Sequence, residues 1–217
     1  MTISVAGAEH DELERRLEHG VEELGLRLDP AARRTLLQHL ALIEKWNRVH
    51  NLTAVRDATK AVDVHLLDSL AVVPYLKGKR FLDAGSGAGF PGIPIAVARP
   101  DIRMALLESS HKKSAFLKHA IGELQLRNAH AVCERVESWH PAEAFDCIVS
   151  RALAELAELI TLTGHLLAPG GVLAAMKGVF PFEEIERVPP EFRVRKVHAL
   201  AVPGLAAERH LVLIERA

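Results

Sequence analysis

The sequence predicts an α/β fold in which helices cover both faces of a mostly parallel sheet, with a helical extension at the N-terminal end. Three observations support this prediction. From residue 80 onward, short apolar runs alternate with helical periodicity, which is typical of a parallel sheet. A glycine-rich turn links the first of these runs to the helix that follows. The residues before 80 show only helical periodicity.

Three helices are predicted before the first strand, over residues 11–26, 30–50 and 58–75. Apolar residues recur there every three or four positions, as on the buried face of an amphipathic helix. Asp29 followed by Pro30 is typical of an N-cap and a first helical position, and Asn51 is expected to close the second helix. We therefore predict an extension over residues 1–75 and a sheet-containing domain over residues 76–217.

Seven strands are predicted, over residues 80–84, 103–108, 129–133, 145–150, 171–177, 193–202 and 209–215. Helices are expected from residue 92, over 111–125 and over 153–167. Only a short connection separates the last two strands, so they are expected to pair as an antiparallel hairpin. The predicted architecture is a seven-stranded, mostly parallel sheet with an antiparallel edge.

The composition argues against several classes of protein. No run of about 20 apolar residues is present, so no membrane span is predicted. The N-terminal region is rich in Glu and Asp, unlike a signal peptide. Two cysteines, Cys133 and Cys147, cannot form a disulfide framework, and neither Cys nor His shows the spacing of a zinc site. We therefore expect a cytoplasmic protein without a metal.

The charge is distributed unevenly along the chain. Residues 1–30 contain 3 basic and 8 acidic residues, residues 31–130 contain 15 and 8, and residues 131–217 contain 9 and 12. The positive middle includes the glycine turn, which is compatible with an anionic substrate. Solvated helix faces would explain the same distribution, and charge alone does not separate the two interpretations.

The glycine turn has the spacing D-x-G-x-G-x-G, from Asp83 through Gly85 and Gly87 to Gly89. Glycine allows a positive φ and lets a ligand lie against the backbone. Two other interpretations exist. Gly87, Gly89 and Gly92 also satisfy the dinucleotide fingerprint G-x-G-x-x-G, and a glycine cluster can be a plain tight turn.

The spacing of this turn resembles motif I of Rossmann-like methyltransferases, in which the glycines pack under the methionine moiety of S-adenosylmethionine. Asp83 precedes the glycines and can hydrogen-bond such a cofactor through ordered water. Pro91 and Pro94 lie at the helix start, whereas a dinucleotide pyrophosphate favours a longer uninterrupted helix N-terminus. No P-loop Lys follows the glycines, which argues against a nucleoside triphosphate. We therefore predict a Rossmann-like class I methyltransferase fold that binds S-adenosylmethionine.

Three further features follow strands at the edge where such sheets bind ligands. Glu108 ends the second strand. An acid at this place in nucleotide-binding α/β folds binds ribose hydroxyls, and because NAD enzymes have it too, it does not distinguish the two cofactors. Val136 and Glu137 follow the third strand, in the loop where methyltransferases of this class hold adenine. Arg151 follows the fourth strand and can bind a carboxylate or phosphate, or pair with Glu155 in a structural role. For Glu108, Val136 and Glu137 the alternative is an ordinary surface or loop position without a ligand.

The end of the fourth strand indicates the type of reaction. The segment Ser150 to Leu153 lacks the Asn/Asp-Pro-Pro-aromatic motif of amino-group methyltransferases. Cys147 lies within the strand, so we interpret it as a core residue and not as the nucleophile that pyrimidine C5 methylation needs. A target that is already nucleophilic fits this site. Guanine N7 is one, because its lone pair is free and no proton has to be removed.

A closer resemblance is carried by Trp46-Asn47, Asn51-Leu52-Thr53, Val55-Arg56-Asp57, His65-Leu66-Leu67-Asp68-Ser69, the segment Asp83 to Pro94, Ser150-Arg151-Ala152, Lys177-Gly178 and Glu208-Arg209-His210. These segments resemble the RsmG family, also called glucose-inhibited division protein B, of bacterial 16S ribosomal RNA guanine-N7 methyltransferases. The resemblance covers roughly residues 36–215, and the extension Phe-Pro-Gly-Ile-Pro of the glycine turn is specific to this family.

The resemblance implies methyl transfer from S-adenosylmethionine to guanine N7 at position 527 of 16S rRNA, in the 530 loop. The RNA would be presented within the 30S subunit or an assembly intermediate. The cofactor contacts predicted from the motif and the resemblance are Asp83, Gly85, Gly87, Gly89, Phe90, Glu108, Val136, Glu137 and Arg151. The polar residues matched to the family's active site are Asn51, His65, Lys177 and Arg209, beside Arg151.

Several of these residues also have a structural interpretation. His65 could cap its helix or pair with Asp68, Lys177 could be a solvated strand end, and Arg209 could pair with neighbours of Glu208. Two alternative functions also stay open at this point. They are a NAD-dependent oxidoreductase and a non-catalytic rRNA-binding assembly factor.

Overall fold

The computed structural model describes residues 5–48 and 50–217, with side chains from residue 10 onward. The N-terminal elements are α1 (Val5–Glu23), α2 (Pro30–Asn47), α3 (Ala58–Ala61), a π-helical turn (Val62–Leu67), α4 (Asp68–Leu70) and a 3-10 turn (Val73–Tyr75). The first two predicted helices are thus confirmed. The third predicted helix is helical without a break from Ala58 to Leu70, but its middle, Val62–Leu67, is π-helical, and a two-residue turn separates it from the 3-10 turn.

The second helix ends earlier than predicted, and Asn51 does not cap it. Its C-cap is Arg48. The Asn47 carboxamide accepts hydrogen bonds from the backbone N–H groups of Leu52 and Thr53 and donates to the Thr53 carbonyl. These side-chain bonds fold the chain back onto the end of α2 and offer the backbone an alternative to further helical turns.

The third helical segment contains an unusual turn. Asp57 caps α3, because its Oδ1 accepts a hydrogen bond from the Lys60 N–H at 2.6 Å. Residues 62–67 are then wound as a π-helix. The Ser69 hydroxyl donates to the His65 carbonyl within this region. Single π-helical turns are rare and occur frequently at functional sites.

The sheet contains β1 (Arg80–Ala84), β2 (Arg103–Leu107), β3 (Ala129–Val132), β4 (Phe145–Arg151), β5 (Leu167–Lys177), β6 (Phe192–Ala199) and β7 (His210–Arg216). Between them lie α5 (Gly92–Ala98), α6 (His111–Glu123), α7 (Leu156–Thr163) and α8 (Phe182–Glu186), with 3-10 turns at Val136–Ser138 and Gly164–Leu166. The strand order is β3-β2-β1-β4-β5-β7-β6. Strands β1 to β5 pair in parallel, and β7 lies antiparallel between β5 and β6. The predicted mostly parallel sheet with an antiparallel hairpin is therefore confirmed.

Two element boundaries differ from the prediction. The helix after β4 begins at Leu156 instead of residue 153, because the chain first makes a bend in which Ala152 has a φ of 55°. Strand β5 begins at Leu167 instead of residue 171, and its pairing with β4 shifts register between Phe145 and Cys147. Strand β5 therefore continues through the Pro-Gly-Gly segment, where its pairing with β4 is irregular.

Hydrophobic clusters lie on both faces of the sheet. On one face, Leu17, Leu36 and Leu66 of the N-terminal region join Phe81 of β1 and Phe116 of α6 in a single cluster. On the other face, α7 packs against the sheet. The first 75 residues therefore share a core with the sheet, and the division into two domains at residue 75 stays a prediction. Among the described residues, none of the helices combines the length and the apolar character that crossing a bilayer requires.

The turn between β1 and α5 depends on a close approach at Gly92. The Gly92 N–H donates to Asp83 Oδ2 at 2.9 Å. A Cβ at this position would overlap the Leu106 side chain and lie 2.6 Å from Asp83 Oδ2. Glycine is therefore required for α5 to begin this close to the strands, which gives Gly92 a structural role.

We expect Gly92→Ala to lower the free energy of unfolding by about 1–3 kcal/mol, because an overpacked contact forces its neighbours to shift. Gly122→Ala is the matched control, since Gly122 lies within α6 and nothing is within 4 Å of the added Cβ. The control should raise the free energy of unfolding by roughly 0.5–1 kcal/mol. Urea unfolding measures both changes. Equal effects of the two substitutions would contradict the packing described for Gly92.

Candidate active site

A cavity of about 360 Å³ opens at the carboxyl ends of β1, β2 and β4. Six predicted cofactor contacts line it: Gly85, Gly87, Glu108, Val136, Glu137 and Arg151. The carboxyl ends of the strands are where doubly wound sheets bind their ligands. We call this space the first cavity.

Glu108 is oriented in the first cavity by two backbone groups. Its Oε2 accepts a hydrogen bond from the Gly87 N–H at 3.0 Å, and its Oε1 accepts one from the Ser110 N–H at 2.8 Å. Each oxygen keeps a further lone pair for a hydroxyl donor. The carboxylate is thus presented beside the glycine turn in a form that suits the ribose of S-adenosylmethionine.

The glycine turn has space for a ligand at Gly87. Gly85, Gly87 and Gly89 all have positive φ. A Cβ at Gly85 would lie 2.9 Å from Leu153, and one at Gly89 would lie 2.5 Å from Ile93. A Cβ at Gly87 would meet nothing closer than 4.0 Å. The backbone at Gly87 therefore borders open space that a ligand could occupy against the backbone.

Three predicted cofactor contacts lie behind the turn and are not among the residues that line the first cavity: Asp83, Gly89 and Phe90. Asp83 is fully buried and holds Gly92 through Oδ2, while its Oδ1 has no hydrogen-bond partner. Burial raises the pKa of Asp83 to about 7. Asp83 therefore supports the turn from beneath, and its contact with the cofactor stays a prediction.

A second cavity, of about 460 Å³, adjoins the first. It is lined by His65, Asp68, Lys177 and Arg209, together with Arg151 and Ala152, which also line the first cavity. These residues come from the π-helical turn and the start of α4, from the ends of β4 and β5, and from the position before β7. The structure therefore brings four of the five predicted catalytic residues to one space.

Asp68 organises the second cavity, although the sequence analysis considered it only as an alternative partner of His65. Its carboxylate is 2% exposed. Oδ2 accepts a hydrogen bond from Arg151 Nη1 at 3.1 Å, and Oδ1 accepts one from Arg209 Nε at 2.8 Å. Two guanidinium groups therefore compensate one buried carboxylate, and that carboxylate holds both of them in place.

Arg151 lies at the boundary between the two cavities. Its Nη1 also donates to the Val64 carbonyl at 3.1 Å. The guanidinium carbon lies 5.3 Å from the centroid of the Phe90 ring, and Phe90 itself is buried. The alternative pairing with Glu155 is not found, because Glu155 pairs with Arg187. The position of Arg151 allows contact with ligands in both cavities.

His65 is uncharged at neutral pH. Burial, and secondly the charge of Arg151, lower the pKa of His65 to about 4. Its Nε2 lies 2.8 Å from Thr53 Oγ1, and its ring stacks on Phe90 with a centroid distance of 4.6 Å. The alternative pairing with Asp68 is therefore not found. Nδ1 is buried and has no hydrogen-bond partner.

Lys177 is not a solvated strand end. Its Nζ donates to the Ala154 carbonyl at 2.9 Å and to Glu184 Oε2 at 2.6 Å. Glu184 Oε2 also accepts a hydrogen bond from the Leu156 N–H at 2.8 Å. These contacts fix the ammonium group in the wall of the second cavity and attach α8 to that wall.

Asn51 is the predicted catalytic residue that lies apart from the others. It is exposed and is not among the residues that line either cavity. Asn47 is the buried asparagine of this region, and its bonds to the following loop position Thr53 against His65. Asn47 belongs to one of the segments that carry the family resemblance, but no role was predicted for it. A catalytic role for Asn51 stays a prediction.

The backbone between the cavities has an uncommon conformation. Ala152 has a φ of 55°, in the left-handed region that residues with a Cβ seldom occupy. The Ser150 hydroxyl donates to the Ala84 carbonyl at 3.0 Å and so ties the end of β4 to the end of β1. Conformations of this kind cluster at functional sites. The Ser-Arg-Ala motif therefore forms the partition between the two cavities.

Neither cysteine lines the second cavity. Cys147 is buried within β4, as interpreted from the sequence, and burial raises its pKa to about 12. Cys133 directly follows β3, and its thiol lies 3.3 Å from His111 Nδ1. Within residues 5–48 and 50–217, no group of three or more His, Cys, Asp or Glu side chains is arranged to hold a metal ion.

Comparison with known proteins identifies the family. The profile of the family described as rRNA small subunit methyltransferase G matches residues 32–212. The chain belongs to this family. A relative from Laribacter hongkongensis, named ribosomal RNA small subunit methyltransferase G, is 52% identical over 200 residues, which are 92% of this chain and 97% of the relative. The family predicted from the sequence motifs is thus confirmed.

Solved structures share the fold of this family member. A ribosomal protein L11 methylase from Lactobacillus delbrueckii subsp. bulgaricus has a TM-score of 0.54 at 16% identity, with 75% of this chain and 80% of that chain covered. A SAM-dependent methyltransferase from Thiobacillus denitrificans, solved with S-adenosyl-L-homocysteine, has a TM-score of 0.50 at 14% identity, with 82% and 98% covered. With the family, this confirms the prediction of a class I methyltransferase that uses S-adenosylmethionine, and the NAD-dependent alternative was wrong.

The buried carboxyl of Asp83 predicts a distinctive pH dependence. Its pKa is raised from 3.8 to about 7, so its contribution to stability is present below pH 3.8 and is lost as the pH rises through 7. The Asp83→Asn substitution keeps the shape of the side chain but removes the carboxyl group that titrates. We compare the free energies of unfolding of the wild type and the variant. The wild-type value minus the variant value should fall by up to about 1.4 kcal/mol per pH unit between pH 5 and 7, and it should level off above pH 8.

Urea unfolding over this pH range tests the prediction. The histidines with lowered pKa, His39 and His65, lose stability as the pH falls, but they do so in both proteins and cancel in the difference. A difference that stays constant from pH 5 to 8 would show that Asp83 is ionised throughout.

Proposed function

We propose that this protein methylates N7 of guanine 527 in the 530 loop of 16S rRNA, with S-adenosylmethionine as the methyl donor. Membership of the rRNA small subunit methyltransferase G family supports the RNA substrate. The choice of guanine N7 rests on the family resemblance and on the chemistry of the second cavity. The proposed substrate implies that the protein acts in the cytoplasm.

The observation that carries this proposal is the junction of two cavities at Arg151 and Ala152. The first cavity has the glycine cradle and the acid that suit the cofactor. The second cavity is large enough for a purine base and opens beside the first. A base bound there would lie next to the methyl donor, which supplies the proximity and alignment that a displacement reaction requires.

The second cavity suits the N7 edge of guanine. When bound, S-adenosylmethionine supplies an electrophilic methyl group, which the N7 lone pair attacks while the C–S bond breaks. No proton leaves N7, so no general base is needed, in agreement with a neutral His65. The O6 atom of guanine accepts hydrogen bonds, and Arg151, Lys177 and Arg209 offer donors around the cavity, while N7 keeps its lone pair for the methyl group.

We propose that these residues position the base and do not exchange protons with it. Arg151 would contact the methionine end of the cofactor, the RNA, or both. Asp68 compensates its charge, so Arg151 can lie beside a cationic methyl donor without strong repulsion. Arg209 would act with it through the same carboxylate.

We also propose that the substrate is the 30S subunit or an assembly intermediate. The chain has a net charge of −1, so its affinity for free RNA through phosphate contacts should be weak. Lys112 and Lys113 lie in the first turn of α6, and Lys113 lines the first cavity. With Arg48 and Arg56 they would make a few phosphate contacts that orient a folded particle.

The test is methyl transfer from radiolabelled S-adenosylmethionine to 30S subunits from cells that lack this protein, followed by mapping of the modified nucleotide. We expect one methyl group at guanine 527, and strand scission there after borohydride and aniline, which is diagnostic of N7-methylguanine. A short hairpin of the same loop should be methylated much more slowly at equal salt. Modification of another nucleotide would contradict the proposal, and equal rates would contradict the proposed particle substrate.

Two variants test the proposed cofactor cradle and the proposed chemistry. Gly87→Val should abolish binding of S-adenosylhomocysteine and methyl transfer together, because its side chain would fill the cradle. The double variant Cys133→Ala, Cys147→Ala should retain the chemistry, apart from packing losses. A cofactor-binding wild type that transfers no methyl group would instead indicate a non-catalytic assembly factor.

A further inference from the structure

An exposed aromatic cluster follows β5. Val179 and Phe182 are 72% and 70% exposed. In the part of the chain that the structure describes, the other exposed large hydrophobic residue is Leu153, at 39%. Scattered single apolar residues on a surface need no explanation, but a contiguous group marks an interaction site. We call Val179, Phe180 and Phe182 the aromatic rim.

The rings of the aromatic rim are held in place. The Phe180 and Phe182 centroids are 4.3 Å apart with an interplanar angle of 41°. Phe180 also meets the His210 ring edge to face at 5.5 Å, and His210 Nδ1 donates to the Gly178 carbonyl at 2.7 Å. The inner ring is therefore packed, while the side chain of Phe182 is left open to solvent.

The aromatic rim is continuous with the second cavity. Gly178 lines that cavity, and Val179 is the next residue of the chain. Phe182 begins α8, whose Glu184 holds the Lys177 ammonium in the cavity wall. Phe180 contacts His210, the chain neighbour of the lining residue Arg209, so the aromatic rim borders the residues of the second cavity on two sides of the chain.

Basic residues lie on the cavity side of the rim and acidic residues lie on α8, so the rim itself favours an uncharged group. On the cavity side lie Lys177 and Arg209, which suit a phosphate backbone. After Phe182, α8 carries Glu183 and Glu186; Glu183 pairs with Arg187, whereas Glu186 would repel phosphates. A nucleobase on Phe182, with its backbone directed toward the cavity, meets both conditions.

We propose that the aromatic rim stacks an unpaired nucleobase that flanks the target guanine in the RNA. This inference rests on the proposed function. Proteins recognise RNA loops mainly through unstacked bases that lie on aromatic side chains. Such stacking tolerates any base, because every base has a π face. The rim would therefore strengthen binding without reading the sequence.

The test compares Phe182→Ala, Phe182→Leu and Phe182→Trp. We expect Phe182→Ala to raise KM for the 30S subunit, and the dissociation constant for protein-free 16S rRNA, by about 5- to 100-fold. Phe182→Trp should match the wild type, and Phe182→Leu should resemble the alanine variant because it is apolar without a π face. The affinity for S-adenosylhomocysteine and the melting temperature should not change, since Phe182 is exposed.

Salt dependence provides a second measurement. Stacking releases no counterions, so the slope of log K against log salt should be the same for Phe182→Ala and wild type. An effect confined to 30S subunits, with unchanged binding of protein-free rRNA, would assign the rim to a ribosomal protein and overturn the inference. Unchanged constants on both substrates would also overturn it. If the wild type methylates another nucleotide, the proposed function fails, and the same variants still test stacking there.

Discussion

The candidate site depends on one interaction, the double ion pair of the buried Asp68 carboxylate with Arg151 and Arg209. Removing such a group from water costs several kcal/mol, and only close cations with good geometry offset this cost. Arg151 and Arg209 lie 83 and 141 positions away in the chain and contact its two oxygens. Asp68 thereby joins the start of α4, the end of β4 and the start of β7 around one cavity. Without this carboxylate, two guanidinium groups would face each other uncompensated.

Local sequence chemistry predicted the first cavity, where we propose that the cofactor binds. The positive φ angles at Gly85, Gly87 and Gly89 follow from the residue type, and the carboxyl ends of parallel strands meet at one edge by topology. Glu108 could therefore be assigned to the same cavity as the glycine turn. The alternation of strands and helices similarly predicted the sheet and its antiparallel hairpin.

The second cavity could be predicted only in part, because long-range contacts build it. The family resemblance named His65 and Arg209, but no local pattern shows that Asp68 contacts Arg209 from across the chain. Helical periodicity does not distinguish a π-helical turn from an α-helix, so the wider turn at residues 62–67 was missed. Phe90 belongs to the glycine motif by sequence, yet its ring is buried between His65 and Arg151 as a support.

A double-mutant cycle between Asp68→Asn and Arg209→Gln, measured by urea unfolding, tests the central role of Asp68 most directly. The account predicts a coupling free energy of about 1–3 kcal/mol, because the buried carboxylate depends on this partner. The matched cycle uses the exposed pair of Lys79 and Asp101, 69% and 42% exposed, and should give at most about 1 kcal/mol. A coupling at Asp68 no larger than that of the surface pair would contradict the account.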